Sequence, residues 1–337
     1  MSVRLGCLFL QSDVKEWANW AQMSEEAGFD LVGVPDSQSV YREMYVTAAL
    51  AALRTSRATI GPWVANPLTR HPAVQASAIA TIDEMSGGRA MLGLGTGHSA
   101  TDMLGLKPAS LESLREYVVA VKELFARKET TYQGRTVRMT WASRPVPVYI
   151  AGAGPKILRL AGQIADGVIV GGGLLPGVVR DSLAQIRQGA LDASRDPSSV
   201  DVWWLARCCV ADRRQDALRE IRAAIATPGK SVFRFGQDDP HVPAELRERV
   251  ARLVQRYRVD EHGMLGDDRD NARAVEELGL VDYLAARFAI VGTPEECAEQ
   301  INRAAAVGAN QICLRPQVAD KARFFQTWRE RVMAHVR

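Results

Sequence analysis

The sequence predicts an α/β fold, a (β/α)8 TIM barrel with insertions, for this chain of 337 residues. Three observations point to it. Short apolar runs alternate with longer segments of helical period from one end of the chain to the other. About eight such runs can be read, several of them continuously apolar, as parallel strands buried on both faces require. Glycines and small polar residues gather directly after these runs, where the strand ends of a barrel would form one rim.

The elements follow in order. The run 3–10, VRLGCLFL, reads as the first strand, and SDVKEWANWAQMSEEAG as its helix, with Ser12 or Asp13 as N-cap and Gly28 beyond the end. Residues 29–36, FDLVGVPD, form the second strand, followed by helix EMYVTAALAALRTS. The third strand is 58–67 and the helix after it carries Pro72 in its first turn and Gly87 at its stop. The fourth is 89–95, RAMLGLG, followed by helix SLESLREYVVAVKELFA. TTYQGRTVRMTW then reads as a hairpin insertion turning at Gly134. VPVYIA (146–151), DGVIVGGG (166–173), VDVWWLARCCVA (200–211) and NQICLRP (310–316) supply the remaining four strands. Residues from about 228 to 288 break the rhythm; they are charged, and they predict a helical lid before the eighth strand, within a single domain spanning 1–337.

Composition excludes several classes. Lys and Arg number 42 against 39 Asp and Glu, and the basic residues are scattered, so no nucleic-acid face is expected. No apolar run approaches the roughly 20 residues needed to span a bilayer, and the first segment is too short for a signal peptide. A cytoplasmic location is the expectation. The five cysteines, Cys7, Cys208, Cys209, Cys297 and Cys313, show no C-x-x-C spacing and sit in apolar segments, which predicts buried thiols rather than a disulfide or zinc framework. No metal site is expected, because no His, Asp or Glu set has ligand spacing.

The motif GTGHSA (95–100) has the letters of a dinucleotide fingerprint, but Gly105 and Pro108 intervene before the next helix. GAGPKI (152–157) has strand before it and helix after it, yet Ile157 stands at the third glycine position. The alternative places both clusters on one barrel rim. There Gly95 and Gly97 let a flat ring approach the backbone, and Gly152 and Gly154 open a helix whose first N–H groups face an anion. Gly171 and Gly172, in GGG after the sixth strand, offer a neighbouring anion nest. Tight turns alone are the plain reading of any one of them. Asp36, Ser37, Asn66, Thr96 and His98 punctuate other strand ends. Each singly reads as a cap or loop residue, and together they are polar groups converging on one rim. His71 reads as structural, and His241 and His262 fall in the lid and are expected in solvent.

The stretch 66–97, NPLTRHPAVQASAIATIDEMSGGRAMLGLGTG, strongly resembles the luciferase-like flavin and deazaflavin oxidoreductases, and within them the methylenetetrahydromethanopterin-reductase-like branch. YIAGAGPKILRLAGQIADGVIVGG (149–172) and FAIVGTPEECAEQI (288–301) match as well, so the resemblance spans nearly the whole chain. It implies a barrel binding coenzyme F420, a deazaflavin, or reduced FMN across the C-terminal rim. By that match Asp36 and Ser37 lie near the ring. Trp63, Val64, Ala65 and Asn66 fall where the family has a bulge, often with a non-proline cis peptide. Gly95, Thr96 and Gly97 fall beside the ring, while Gly152, Ala153, Gly154, Gly171 and Gly172 fall at the phosphate. Two residues depart from the branch: His98 stands where aspartate is common, and Trp63 where glycine is common. An imidazole titrates near neutrality, so His98 joins Asp36 as a candidate proton donor or acceptor.

The implied activity is hydride transfer between the cofactor ring and a small organic substrate. A monooxygenase using reduced FMN and oxygen is the alternative, and a barrel that binds a ligand without catalysis is a third class. Lys156, Arg159 and Arg180 lie near the glycine clusters in sequence and are candidates to meet the acidic tail of the deazaflavin coenzyme. The resemblance also implies a homodimer.

Overall fold

The computed structural model describes residues 3–11, 13–142, 144–233, 239–261, 266 and 268–336. Ser12 and His262 therefore lie outside the described residues. The strands are β1 Arg4–Leu8, β2 Leu31–Val34, β3 Thr59–Pro62, β4 Leu92–Leu94, the pair β5 Glu129–Tyr132 and β6 Arg135–Arg138, then β7 Val148–Gly152, β8 Gly167–Val170, β9 Asp201–Val210, β10 Ala289–Gly292 and β11 Gln311–Pro316. The main sheet has the order β3-β2-β1-β11-β9-β8-β7-β4, with β10 beside β9. Parallel bridges Ile60–Ala90 and Ala65–Leu94 link the β3 and β4 segments. This is the eight-stranded parallel α/β barrel that the alternation predicts. The two-stranded antiparallel β5–β6 sheet is the expected hairpin, turning through Gln133 and Gly134 at φ 49° and 74°.

The chain divides into two compact units. The first comprises Gly6–Ile169 and Ala184–Val202, the second Met1–Leu5, Val170–Leu183 and Trp203–Arg337. Each is taken by itself.

In the first unit β2 pairs with β3 from Leu31↔Thr59 to Val34↔Pro62, and β4 pairs with β7 from Leu92↔Val148 to Leu94↔Ile150. Helix Val14–Glu26 is capped by Asp13, whose carboxylate accepts from Lys15 N and Glu16 N. It buries Trp17, Ala18, Ala21 and Ser24, one face at spacings of three and four. His71 caps helix Pro72–Met85 by accepting from Ala73 N, as its structural reading expects. Helix Leu111–Arg127 starts at Ser110, which accepts from Ser113 N.

The second unit holds β9 from Trp203 onward, and the strand serves two partners, β11 from Ile312↔Trp204 to Pro316↔Cys208 and β10 from Ala289↔Arg207 to Gly292↔Val210. Strand β10 is an addition to the predicted set. It is four residues long and follows helix Val281–Phe288 with no turn between, so no local signal separates it from the lid. The predicted start of the lid at 228 falls inside helix Arg214–Phe233. Pro228 sits within that helix without breaking it. The proline leaves Ala224 O without its usual N–H donor, and Arg207 Nε donates to that carbonyl instead, at 3.3 Å. All five cysteines are buried and unpaired as disulfides. Among the described residues no helix is long and apolar enough to cross a membrane, and no group of side chains is placed to hold a metal.

Candidate active site

In the first unit the C-terminal ends of β2, β3 and β4 carry most of the predicted site. Strand β2 runs straight into Asp36, which is buried. Arg70, on the loop after β3, reaches it with both guanidinium nitrogens, Nη1 to Oδ2 at 2.6 Å and Nη2 to Oδ1 at 3.3 Å. Arg70 Nη2 also meets Glu43 Oε1 at 2.9 Å, and the guanidinium lies over the Tyr45 ring at 5.5 Å. Its backbone carbonyl accepts from Tyr117 OH at 2.9 Å. Burial pushes the Asp36 carboxyl above its usual range against the opposing pull of Arg70. The pair is thus a fixed, charge-compensated anchor, and Asp36 is no freely titrating group. Arg70 has no motif of its own, and a basic residue in NPLTRHP directly after a strand end is the signal that points to it.

Next along the rim, β3 leaves regular pairing at a cis Trp63–Val64 peptide, where the resemblance places one. The chain then returns to β4: Ala65 N donates to Gly93 O and Gly95 N to Ala65 O, both at 2.9 Å. The Val64 side chain lies over two glycines, so that β-carbons at Gly93 and Gly95 would stand 2.9 and 3.2 Å from its methyl groups. The protein's own valine therefore gives these glycines an immediate reason, alongside the approach of a ring. Trp63 is buried against Gly33 of β2, where a β-carbon would stand 2.8 Å from Cγ. Its bulk is taken up inside the unit by the bare backbone of that glycine. Asn66 closes its own turn, its Oδ1 accepting from Leu68 N and Thr69 N.

Beyond β4, Thr96 O accepts from Ala109 N at 2.8 Å, which closes the following loop. Gly97 has φ 103°, and a β-carbon there would stand 2.5 Å from Thr101 Cγ2, so both the backbone and the space demand glycine. His98 heads the short helix Ser99–Asp102 and its carbonyl accepts from Asp102 N at 2.8 Å and Thr101 Oγ1 at 2.8 Å. Its ring makes no cap bond and is half-buried. Ser37 Oγ donates to Ser99 Oγ at 2.9 Å and Gln38 Nε2 to Ala100 O at 2.9 Å. These bonds bring the Asp36–Ser37 and His98–Ser99 segments together, although 62 positions separate Ser37 from Ser99.

At the end of β7, Gly152 lies under the Ile157 side chain. Ala153 follows it, half-buried. Gly154 is the N-cap of helix Pro155–Ile164, without a capping side chain and with open space where a β-carbon would sit. Pro155 lacks an N–H, so the first free donors of this helix are those of Lys156 and Ile157. Of the three basic candidates for an acidic tail, Arg159 is engaged with Asp192 at 3.0 Å, while Lys156 and Arg180 are exposed.

Whether these residues fit a bound cofactor can be tested on the buried polar atoms. Gln11, just past β1, uses its Nε2 on Pro35 O at 2.8 Å, but its Oε1 has no partner. Thr69 Oγ1 and both side-chain amide atoms of Gln75, which is fully buried in the first turn of helix Pro72–Met85, have none either. A buried amide without a partner is costly, and such atoms are what a ligand completes. They lie after β1 and β3, the strands that flank β2, so the residues fit.

In the second unit, Gly171 and Gly172 follow β8. Gly171 has open space at its β-carbon position, and Gly172 O accepts from Arg287 Nε at 3.0 Å. Gly173, at φ 107°, would place a β-carbon 2.5 Å from Arg287 O, and Leu174 N donates to that carbonyl at 2.6 Å. Arg287 is buried, with Nη1 on Tyr283 OH at 2.8 Å and Nη2 on Asp239 at 2.6 Å, and it packs over the Phe233 and Phe288 rings. His241, expected in solvent, is instead held: its Nε2 meets Asp181 at 2.9 Å, its N donates to Asp239 Oδ1, and its carbonyl accepts from Tyr283 OH. Sequence could not show this, because the partners lie 42 and 60 positions away.

The model of the luciferase-like monooxygenase family matches residues 6–311. The chain belongs to that family. It is 32% identical to 5,10-methylenetetrahydromethanopterin reductase of Methanolobus tindarius, over 91% of this chain and 92% of that one. It is 30% identical to the F420-dependent glucose-6-phosphate dehydrogenase of Nakamurella multipartita, over 96% and 92%. Among solved structures, the coenzyme F420 dependent tetrahydromethanopterin reductase of Methanopyrus kandleri superposes with a TM-score of 0.79 over the full length of both chains at 24% identity, which shows a shared fold.

Proposed function

We propose that this luciferase-like oxidoreductase, an enzyme working with a flavin or deazaflavin cofactor, uses F420 to transfer a hydride to or from a small organic substrate. The observation that carries the reading is the set of unpartnered buried polar atoms at Gln11, Thr69 and Gln75, which follow β1 and β3. The choice of F420 over FMN is supported by relatives at 30–32% identity whose names carry methylenetetrahydromethanopterin reduction and F420 dependence. The cofactor supplies the hydride chemistry, and the chain binds, orients and moves a proton.

In this reading Asp36, Ser37, Val64, Ala65, Asn66, Gly95, Thr96 and Gly97 border the ring. The open N-terminus at Gly152, Ala153 and Gly154 receives the phosphate. His98 is the proton donor or acceptor, since Asp36 is clamped by Arg70 and an imidazole can both give and take a proton. Asp36 fixes charge and position through that clamp. A cytoplasmic homodimer fits the five buried free thiols and the exposed Val46, Leu53 and Val74 on helices Met44–Arg54 and Pro72–Met85.

The test is a fluorescence titration of the purified protein with F420 and with FMN, each oxidised and reduced. F420 is expected to bind at least about tenfold more tightly, a difference of about 1.4 kcal/mol. Preference for reduced FMN together with oxygen consumption would establish the monooxygenase reading in its place. Binding of neither would overturn both.

A further inference from the structure

We propose that Arg315 anchors an oxyanion-binding subsite at the C-terminal end of β11, in the second unit. It is the penultimate residue of that strand and is 6% exposed, yet its Nε and Nη2 meet no hydrogen-bond partner. Among the described residues no carboxylate pairs with it. Another deeply buried arginine of this unit shows what the fold does when an arginine is structural. Arg287, 2% exposed, has Nε on Gly172 O, Nη1 on Tyr283 and Nη2 on Asp239. Every nitrogen of that guanidinium is met, one of them by a carboxylate.

The neighbourhood of Arg315 adds positive charge. Its register partner on β9 is Arg207, also 6% exposed, whose Nε is taken by Ala224 O. Adjacent parallel strands lie about 4.8 Å apart, and like charges side by side on them repel. Among the described residues, a buried guanidinium with two unmet donor nitrogens and no carboxylate is an uncompensated charge, and a ligand that meets those donors removes the cost of leaving them unpaired. The guanidinium fork matches a carboxylate or phosphate in the plane of two N–H bonds. The C-terminal strand ends are the ligand side of this fold. The ligand class is therefore a small molecule bearing a carboxylate or phosphate. The subsite does not rest on which cofactor the enzyme uses.

The sequence carries a trace of it. ICLRP and LARCCV each place a single arginine inside a run that is otherwise apolar or small, which is a poor choice for a strand covered on both faces unless the charge is used.

Thermal unfolding of the full chain, in inorganic phosphate and in sodium chloride at matched ionic strength, tests the assignment. The wild type is expected to melt higher in phosphate than in chloride, because a ligand of the native state raises its melting temperature. Arg315→Met is expected to melt at or above the wild type in chloride, since it removes an uncompensated charge, and to show no phosphate-specific rise. Arg315→Lys keeps the charge without the fork and is expected to bind phosphate about tenfold more weakly. A wild type without the phosphate rise, an Arg315→Met protein that melts well below wild type in chloride, or an unchanged rise in either variant overturns the proposal. The origin of the oxyanion is read by titrating F420 and FMN into the wild type and Arg315→Met. A cofactor affinity lowered about tenfold in the variant assigns it to the cofactor's acidic group. An unchanged affinity, with the phosphate effect lost, assigns it to the substrate.

Discussion

The two ends of the strands in the first unit are finished differently. At the N-terminal ends no buried side-chain polar atom among the described residues is left without a partner. Arg89 spends all five donors within the protein, on Ser86 O, Thr55 Oγ1, Ala58 O, Ala52 O and Thr55 O, with no carboxylate among them. Glu25 accepts from Ser56 N, Ser56 Oγ, Arg57 N and Ala58 N and so ties helix Val14–Glu26 to the start of β3. Asp166 accepts from Val148 N and Lys122. At the C-terminal ends Gln11, Thr69 and Gln75 leave buried atoms without partners, Gly97 is strained unless glycine, and Asp36 is buried with its own counter-ion. The same unit can satisfy its polar groups and does so at one end. The open groups at the other mark where something else completes them.

If this contrast is right, substitutions at the two ends separate stability from activity. The largest effect is expected from Arg70→Met, which leaves the Asp36 carboxylate buried without its partner. A loss of about 3–5 kcal/mol in urea unfolding is predicted, with cofactor binding lost as well. A loss below about 1 kcal/mol would mean that the pair is loosely held.

His98→Ala is expected to lower kcat by about 10²-fold while the unfolding free energy stays within about 0.5 kcal/mol of wild type. Equal falls in stability and rate would return His98 to a structural role. The opposite pattern belongs to Arg89→Met. It should cost about 2 kcal/mol, through carbonyls left without donors, and leave kcat and the cofactor affinity of the folded protein unchanged.

The smallest effect is electrostatic. Burial alone would raise the Glu25 carboxyl, but the N–H groups of Ser56, Ala58 and Arg57 outweigh it and hold the group below its usual value of 4.5. Folding therefore favours the charged form. The stabilisation is fully present above pH 4.5 and fades as pH falls through the lowered folded value. Glu25→Gln should thus be less stable than wild type by about 1 kcal/mol at pH 7, with the gap closing in acid. A gap that does not change with pH would remove the carboxylate from the account.

The strand set was legible in the sequence because parallel strands buried on both faces write themselves as apolar runs. Each of the eight predicted runs overlaps a barrel strand, and the hairpin turns at Gly134. The glycine clusters were legible too, since the need for φ above zero at Gly97, or for the close approach of Val64 at Gly95, leaves a residue type that nothing else explains. The pairs were hidden. Arg70 and Asp36 are 34 positions apart, and Arg287 and Gly172 are 115 apart, so no periodicity links them. The histidine at 241 looked solvated because its neighbours in sequence are polar, whereas its ring is held by Asp181 of another helix. Strand β10 was lost because a four-residue run continuous with a helix gives neither period room to show.

Amide hydrogen exchange with and without F420 shows whether the cofactor sits at the C-terminal strand ends of the first unit. Added protection is predicted at Ala65–Thr69, Gly95–Ser99 and Lys156–Leu158, with Ser56–Ala58 and Arg89 unchanged. Protection at Ser56–Ala58 and Arg89 alone, or none at the three strand-end segments in a protein shown to bind F420, would contradict it.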